Sequence, residues 1–229
     1  MTIFRSSVED WRPLITASAN GKPVEFLLRW IDKESAGNPC SYTTLRESGI
    51  FQLDPGNMAT VGTNEATMHP VPPCTAGAQT TAYLSSLSGD QPSTQISYGL
   101  AYVDWCIQQA QNYLAQAGYN WDQTSTSFWS MVKMVHVAPA RIPVMLAQGL
   151  ACNGGTPPAD WDALMFCGPF PNTPQSWTDN AGDVGSYATG LKAFGTIPTS
   201  WWAFAAGIVG VIGYAWYTRR KKRHALVAP

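Results

Sequence analysis

The chain is 229 residues long, enough for one domain with a full core plus appendages. Its net charge of −1 conceals two opposite parts: all 15 acidic residues precede residue 184, whereas five of the 14 basic ones are Arg219, Arg220, Lys221, Lys222 and Arg223, leaving nine against 15 and a net of −6 elsewhere. No nucleic-acid partner is expected of so short a basic run, and five cysteines without C-x-x-C spacing argue against a zinc centre, so neither metal nor cofactor is expected.

Residues 1–21 read as a polar N-terminal segment without the apolar stretch of a signal peptide. From Pro23, which suits a first helical turn, Val24, Leu27, Leu28 and Ile31 recur at the spacing of one helical face, and Gly37 and Pro39 stop the run. Glu34 therefore falls in the last turn, where unpaired carbonyls disfavour an ionised carboxylate by about 0.3–1 kcal/mol. Its pKa is expected to rise, and further if Phe51 and the apolar helix face desolvate it, which would keep it protonated as a general acid. Taken alone, a Glu near a helix end is an ordinary solvated residue. The segment Ser48-Gly49-Ile50-Phe51-Gln52-Leu53-Asp54-Pro55 sharpens the reading, because Gly49 permits positive φ or close approach and Gln52 is polar inside an apolar run, where a ligand-facing residue is expected.

Residues 56–97 are rich in Thr, Ser, Gly and Pro and read as a long loop or small lobe. Residues 100–117 and 128–150 carry helical patterns, the second bent or divided at Pro139 and Pro143, with Cys106 as a small core residue. Residues 153–196 have little periodicity and read as a Gly/Pro-rich tether, although Trp161, Phe166, Phe170 and Trp177 argue against full disorder. Cys40 with Cys74 and Cys152 with Cys167 are candidates for loop-closing disulfides, the connectivity being open.

Residues 197–217 carry no charge, have Trp and Tyr at both ends and suffice to cross a hydrocarbon core of roughly 30 Å as a helix. The basic tail, residues 218–229, should stay on the cytoplasmic or equivalent face, leaving residues 1–196 on the other side.

Four segments resemble, in order and approximate spacing, the lysozyme-like lytic transglycosylases of the SLT type. Glu34-Ser35 resembles their Glu-Ser signature, and Gly49-Ile50-Phe51-Gln52 their Gly-Leu-Met-Gln signature. The run Ile96-Ser97-Tyr98-Gly99-Leu100-Ala101-Tyr102-Val103 is similar to their Asn-x-x-Ala-Gly-x-x-Tyr-Leu helix. The run Met134-Val135-His136-Val137-Ala138-Pro139-Ala140-Arg141-Ile142 is similar to their Ala-Tyr-Asn-Ala-Gly-Pro-Gly-Arg-Val segment, with Val135 in place of the tyrosine and His136 in place of the asparagine.

The resemblance implies a mainly α, lysozyme-like domain over residues 22–152. It further implies Glu34 as the single acid/base cleaving the MurNAc–GlcNAc bond of peptidoglycan, with Ser35, Gly49, Phe51, Gln52 and His136 binding the glycan. A hydrolase using Glu47 as a second carboxylate stays open, since an inverting enzyme needs a partner about 6.5–9.5 Å away. A catalytically lapsed glycan-binding protein also stays open. Wall-side placement without a signal peptide suits an enzyme carried in a phage particle, anchored in a virion or inner membrane among other virion membrane proteins.

Overall fold

The computed structural model describes residues 4–68 and 91–188. The chain divides into a larger unit, Met1–Lys192, and a second, Ala193–Pro229. The expected membrane span at 197–217 and the basic tail lie outside the described residues. Among the described residues no helix is long and apolar enough to cross a membrane.

The described part is mainly α. Its helices are α1 (Ser6–Glu9), α2 (Arg12–Ser18), α3 (Val24–Ser35), α4 (Pro55–Thr60), α5 (Glu65–Met68), α6 (Gln91–Gln116), α7 (Thr126–Val137), α8 (Ile142–Cys152), α9 (Trp161–Phe166) and α10 (Gln175–Ser186), with a 3₁₀ turn at Pro139–Arg141. Pairing of extended backbone among the described residues is limited to isolated bridges of Ser48 with Tyr42 and with Leu53.

The organising element is α7, whose residues from Ser127 to Val135 are all buried. A helix apolar on every side must be covered on every side, and α6, α9 and α10 pack on it. Helix α3 reaches it through Phe26 against Trp129, ring centroids 4.8 Å apart. Pro139 divides α7 from α8, as expected, because its ring and missing N–H cannot continue the ladder.

Three segments differ from the sequence reading. The polar lead is two helices: Val8, Trp11 and Ile15, spaced three and four apart, are completely buried. Trp11 Nε1 donates to Gly37 O at 2.9 Å and Ser7 Oγ to Ala36 O at 2.6 Å, so α1 and α2 clamp the C-terminal end of α3. The clamp needs glycine at 37, with φ +77°, since a Cβ there would meet Ser7 O at 2.3 Å.

The region 56–97 holds α4, α5 and the start of α6, which begins at Gln91 rather than Leu100; residues 69–90 lie outside the described residues. Asp54 caps α4 by accepting from Asn57 N at 2.7 Å, with Pro55 in its first turn.

The supposed tether is, up to residue 188, part of the domain. A Cβ on Gly185 of α10 would lie 2.1 Å from Ser130 Oγ of α7, so the two helices touch backbone to side chain. Arg29 of α3 grips Asp183 with two bonds, Nε to Oδ2 at 2.9 Å and Nη2 to Oδ1 at 3.0 Å. Cys152 is disulfide-bonded to Cys167, tying α8 to the end of α9. Cys40 is also disulfide-bonded, its candidate partner Cys74 lying outside the described residues. Cys106 is free and buried.

Candidate active site

The left-handed turn at Ala36 (φ +57°) and Gly37 ends α3 just after Glu34. Trp30 and Glu34, four apart, share one face of α3, and that face looks toward α7. There Lys133 Nζ donates to Glu34 Oε1. His136 Nε2 lies 3.5 Å from the same oxygen. The ammonium also sits over the Trp30 ring, 4.3 Å from its centroid. His136 is held between Trp30 and Tyr102, with ring centroids 4.9 and 5.7 Å away. Lys133 is completely buried, whereas the Glu34 side chain keeps 19% of its surface open.

The four segments singled out in the sequence are therefore linked one to the next in a ring of contacts that begins and ends at Glu34. Ser35 Oγ donates to Ile50 O at 2.9 Å, joining the first to the second. Phe51 fills the space over Gly99, joining the second to the third. Tyr102 packs on His136, joining the third to the fourth, and His136 returns to Glu34.

Within that arrangement, four of the residues expected to bind glycan make buried contacts that brace the site. The Ser35 hydroxyl is buried and also accepts from Gly37 N at 3.2 Å. Gly49 has the positive φ expected of it, +75°, but what crowds it is Gln95 Oε1, 3.0 Å from where a Cβ would stand. Phe51 is completely buried. Gln52, at φ +49° and 2% exposed, donates Nε2 to Gly49 O at 2.7 Å and Ser41 O at 3.1 Å. For Ser35 and Gln52 the physical reason is that a loop turning back under a helix end leaves backbone groups in the interior, and these must find partners; Phe51 fills the apolar space beside them. Gln52 Oε1, His136 Nδ1 and Trp30 Nε1 are buried polar atoms with no hydrogen-bond partner among the described residues.

Two residues went unnoticed in the sequence. Gln95 is a hub: its Oε1 accepts from Ile50 N at 3.0 Å and its Nε2 donates to Pro39 O at 2.9 Å and Met68 O at 3.0 Å. Lys133 had a visible signal, a lone charge in Met131-Val132-Lys133-Met134-Val135, three residues before His136 and hence on the same helical face.

The electrostatics reverse the expectation for Glu34. Burial on its own would raise its pKa, but the Lys133 charge, with His136 beside it, outweighs burial and holds the carboxyl well below the usual range. The helix-end effect is worth less than about 1 kcal/mol, small beside a hydrogen-bonded buried cation. Burial lowers the Lys133 pKa against the pull of Glu34. Burial first, and then Lys133, lowers that of His136, leaving the imidazole uncharged at neutral pH. Tyr102 is pushed well up by burial and by Cys106.

Glu47 is half-buried, accepts from Thr43 Oγ1 at 2.8 Å and acts electrostatically on both Lys133 and His136. Val135 is completely buried and presents no polar group to the site. A separate apolar cavity of about 270 Å³ between α6 and α8, lined by Tyr113, Pro143, Leu146 and Leu150 among others, includes none of these residues. Comparison with protein-family models, with curated proteins and with solved structures found no match to this chain.

Proposed function

We propose that this protein is a lysozyme-like lytic transglycosylase that opens peptidoglycan at the MurNAc–GlcNAc bond, with Glu34 as its acid/base. The observation that carries the reading is the ring of contacts that links all four family-like segments and closes on one partly open carboxylate. In this chemistry Glu34 gives a proton to the glycosidic oxygen as the C1–O bond breaks. The sugar's own 6-hydroxyl then closes on C1, returning its proton to Glu34 and leaving a 1,6-anhydro end. No second carboxylate is required. Residues 197–217 anchor the protein in a virion or bacterial inner membrane, with the domain facing the wall.

The test is mass spectrometry of muropeptides released from purified sacculi by the full chain. Anhydro ends that disappear in Glu34→Gln support the reading, and reducing ends, heavier by one water, would transfer the chemistry to a hydrolase using Glu47. A second reading, a glycan-binding protein that has lost turnover, is favoured by the ion pair, since an ionised carboxylate has no proton to give. Retention on sacculi with no released product would establish it.

A further inference from the structure

The ion pair that argues against catalysis also contains the missing proton. Lys133 has no solvent exposure, and Glu34 is its only hydrogen-bonded acceptor among the described residues. Its other neighbour is the Trp30 ring, which attracts a cation but cannot accept its proton. The ammonium is thus sealed behind the carboxylate, whose open side is the one a glycan would cover. Excluding water from that side weakens solvation of both charges, and a neutral amine–acid pair then competes with the ion pair.

Resting on the transglycosylase reading, we propose that Lys133 is a positioning residue that arms Glu34: glycan covering the carboxylate drives one proton from Lys133 Nζ to Glu34 Oε1. The step balances without any other reactant. An N–H bond of Lys133 breaks and an O–H bond of Glu34 forms; that proton goes to the glycosidic oxygen as C1–O breaks. The 6-hydroxyl proton returns to Glu34 as C1–O6 forms, and then to Lys133 when product leaves. The free enzyme holds an ionised, inert carboxylate, and the acid exists only under substrate. The other titratable groups around the pair are His136 on α7, Tyr102 and Cys106 on α6, and Glu47 on the loop before Gly49. None of them is hydrogen-bonded to Lys133.

Lys133→Arg and Lys133→Met separate this role from plain charge support. Arginine keeps the charge but does not release its proton, so anhydro product from sacculi should fall by about 10²-fold or more at every pH. Methionine removes the charge and lets Glu34 hold its own proton. Its release of anhydro product should then acquire a pH dependence that the parent lacks, falling by about tenfold or more from pH 5 to pH 8 as that proton is lost. Parent activity in Lys133→Arg, or the parent pH profile in Lys133→Met, overturns the proposal.

The parent chain supplies a measurement independent of variant folding. The ¹³C carboxyl signal of Glu34 should read as carboxylate in the free protein and as carboxylic acid after addition of a GlcNAc–MurNAc tetrasaccharide. A carboxylate signal in the complex overturns the proton transfer. Absence of anhydro product from the parent chain would instead remove the transglycosylase reading itself.

Discussion

A Cβ on Gly99 would stand 2.1 Å from Cδ2 of Phe51, so the phenyl ring occupies the space that any larger residue at this point of α6 would need. Phe51 in turn meets Trp30 edge-on at 6.2 Å, on the same face of α3 as Glu34. The loop, α6 and the acid-bearing helix are therefore one packed unit. Gly99→Ala should cost about 1–3 kcal/mol by overpacking, read as a lower urea midpoint with unchanged slope, and should lower turnover by displacing the loop. A variant as stable as the parent would mean that Phe51 can move away freely.

Gln52→Ala should act on stability more than on glycan binding. Its amide donates to Gly49 O and Ser41 O from a left-handed backbone position; each carbonyl also accepts a backbone N–H, so the loss is that of the two side-chain bonds, about 0.5–1.5 kcal/mol each. Gln52→Gly loses the same bonds but relieves the strained φ, so it should be the less destabilised of the two. Unchanged melting with weakened binding to sacculi would restore Gln52 to the glycan cleft.

Glu34→Gln leaves Lys133 buried without a countercharge, a loss of roughly 3–5 kcal/mol at pH 7, toward the lower figure because Glu34 is 19% exposed. The pH dependence follows from the direction of the Glu34 shift. Its folded pKa lies below the usual 4.5, so between the two values the unfolded chain binds more protons and stability falls as pH falls. The parent's advantage over the variant should be full above pH 4.5 and shrink steadily below it. Melting curves from pH 7 to pH 2.5 measure this; a difference independent of pH would mean that the carboxylate is not ionised in the fold. Glu34→Gln combined with Lys133→Met should regain most of the stability and none of the activity.

Replacing Cys152 and Cys167 together by serine, which leaves the Cys40 disulfide in place, opens a loop spanning 15 residues, and loss of the cross-link should cost about 3 kcal/mol. Because α9 packs on α7 but contributes no residue to the carboxylate cluster, the double variant should melt earlier while releasing the same products. A change of product rather than of stability would show that α9 borders the substrate.

Much of the architecture could be read along the chain because it is periodic. The face of Val24, Leu27, Leu28 and Ile31 located α3, Gly37 marked its end, and Pro139 marked the division of α7 from α8. Val8, Trp11 and Ile15 carried the same kind of signal for α1 and α2, masked by the polar residues between them. The segment beyond residue 153 was less legible. Its two helices are separated by Gly- and Pro-containing connections, and what recruits the second of them is the close approach of Gly185 to Ser130 and the Arg29–Asp183 pair, both long-range contacts.

The sequence by itself picked out a glutamate at a helix end and three segments that pack around it, but neither Lys133 nor Gln95. Tertiary structure alone decided what that glutamate is. Local reasoning assigned it a raised pKa from the helix terminus and apolar neighbours, but the controlling charge is Lys133, 99 residues away in the chain. Helix dipoles and apolar runs can be read locally. A buried countercharge arrives through packing, and at hydrogen-bond distance in a low-dielectric interior it outweighs every local term.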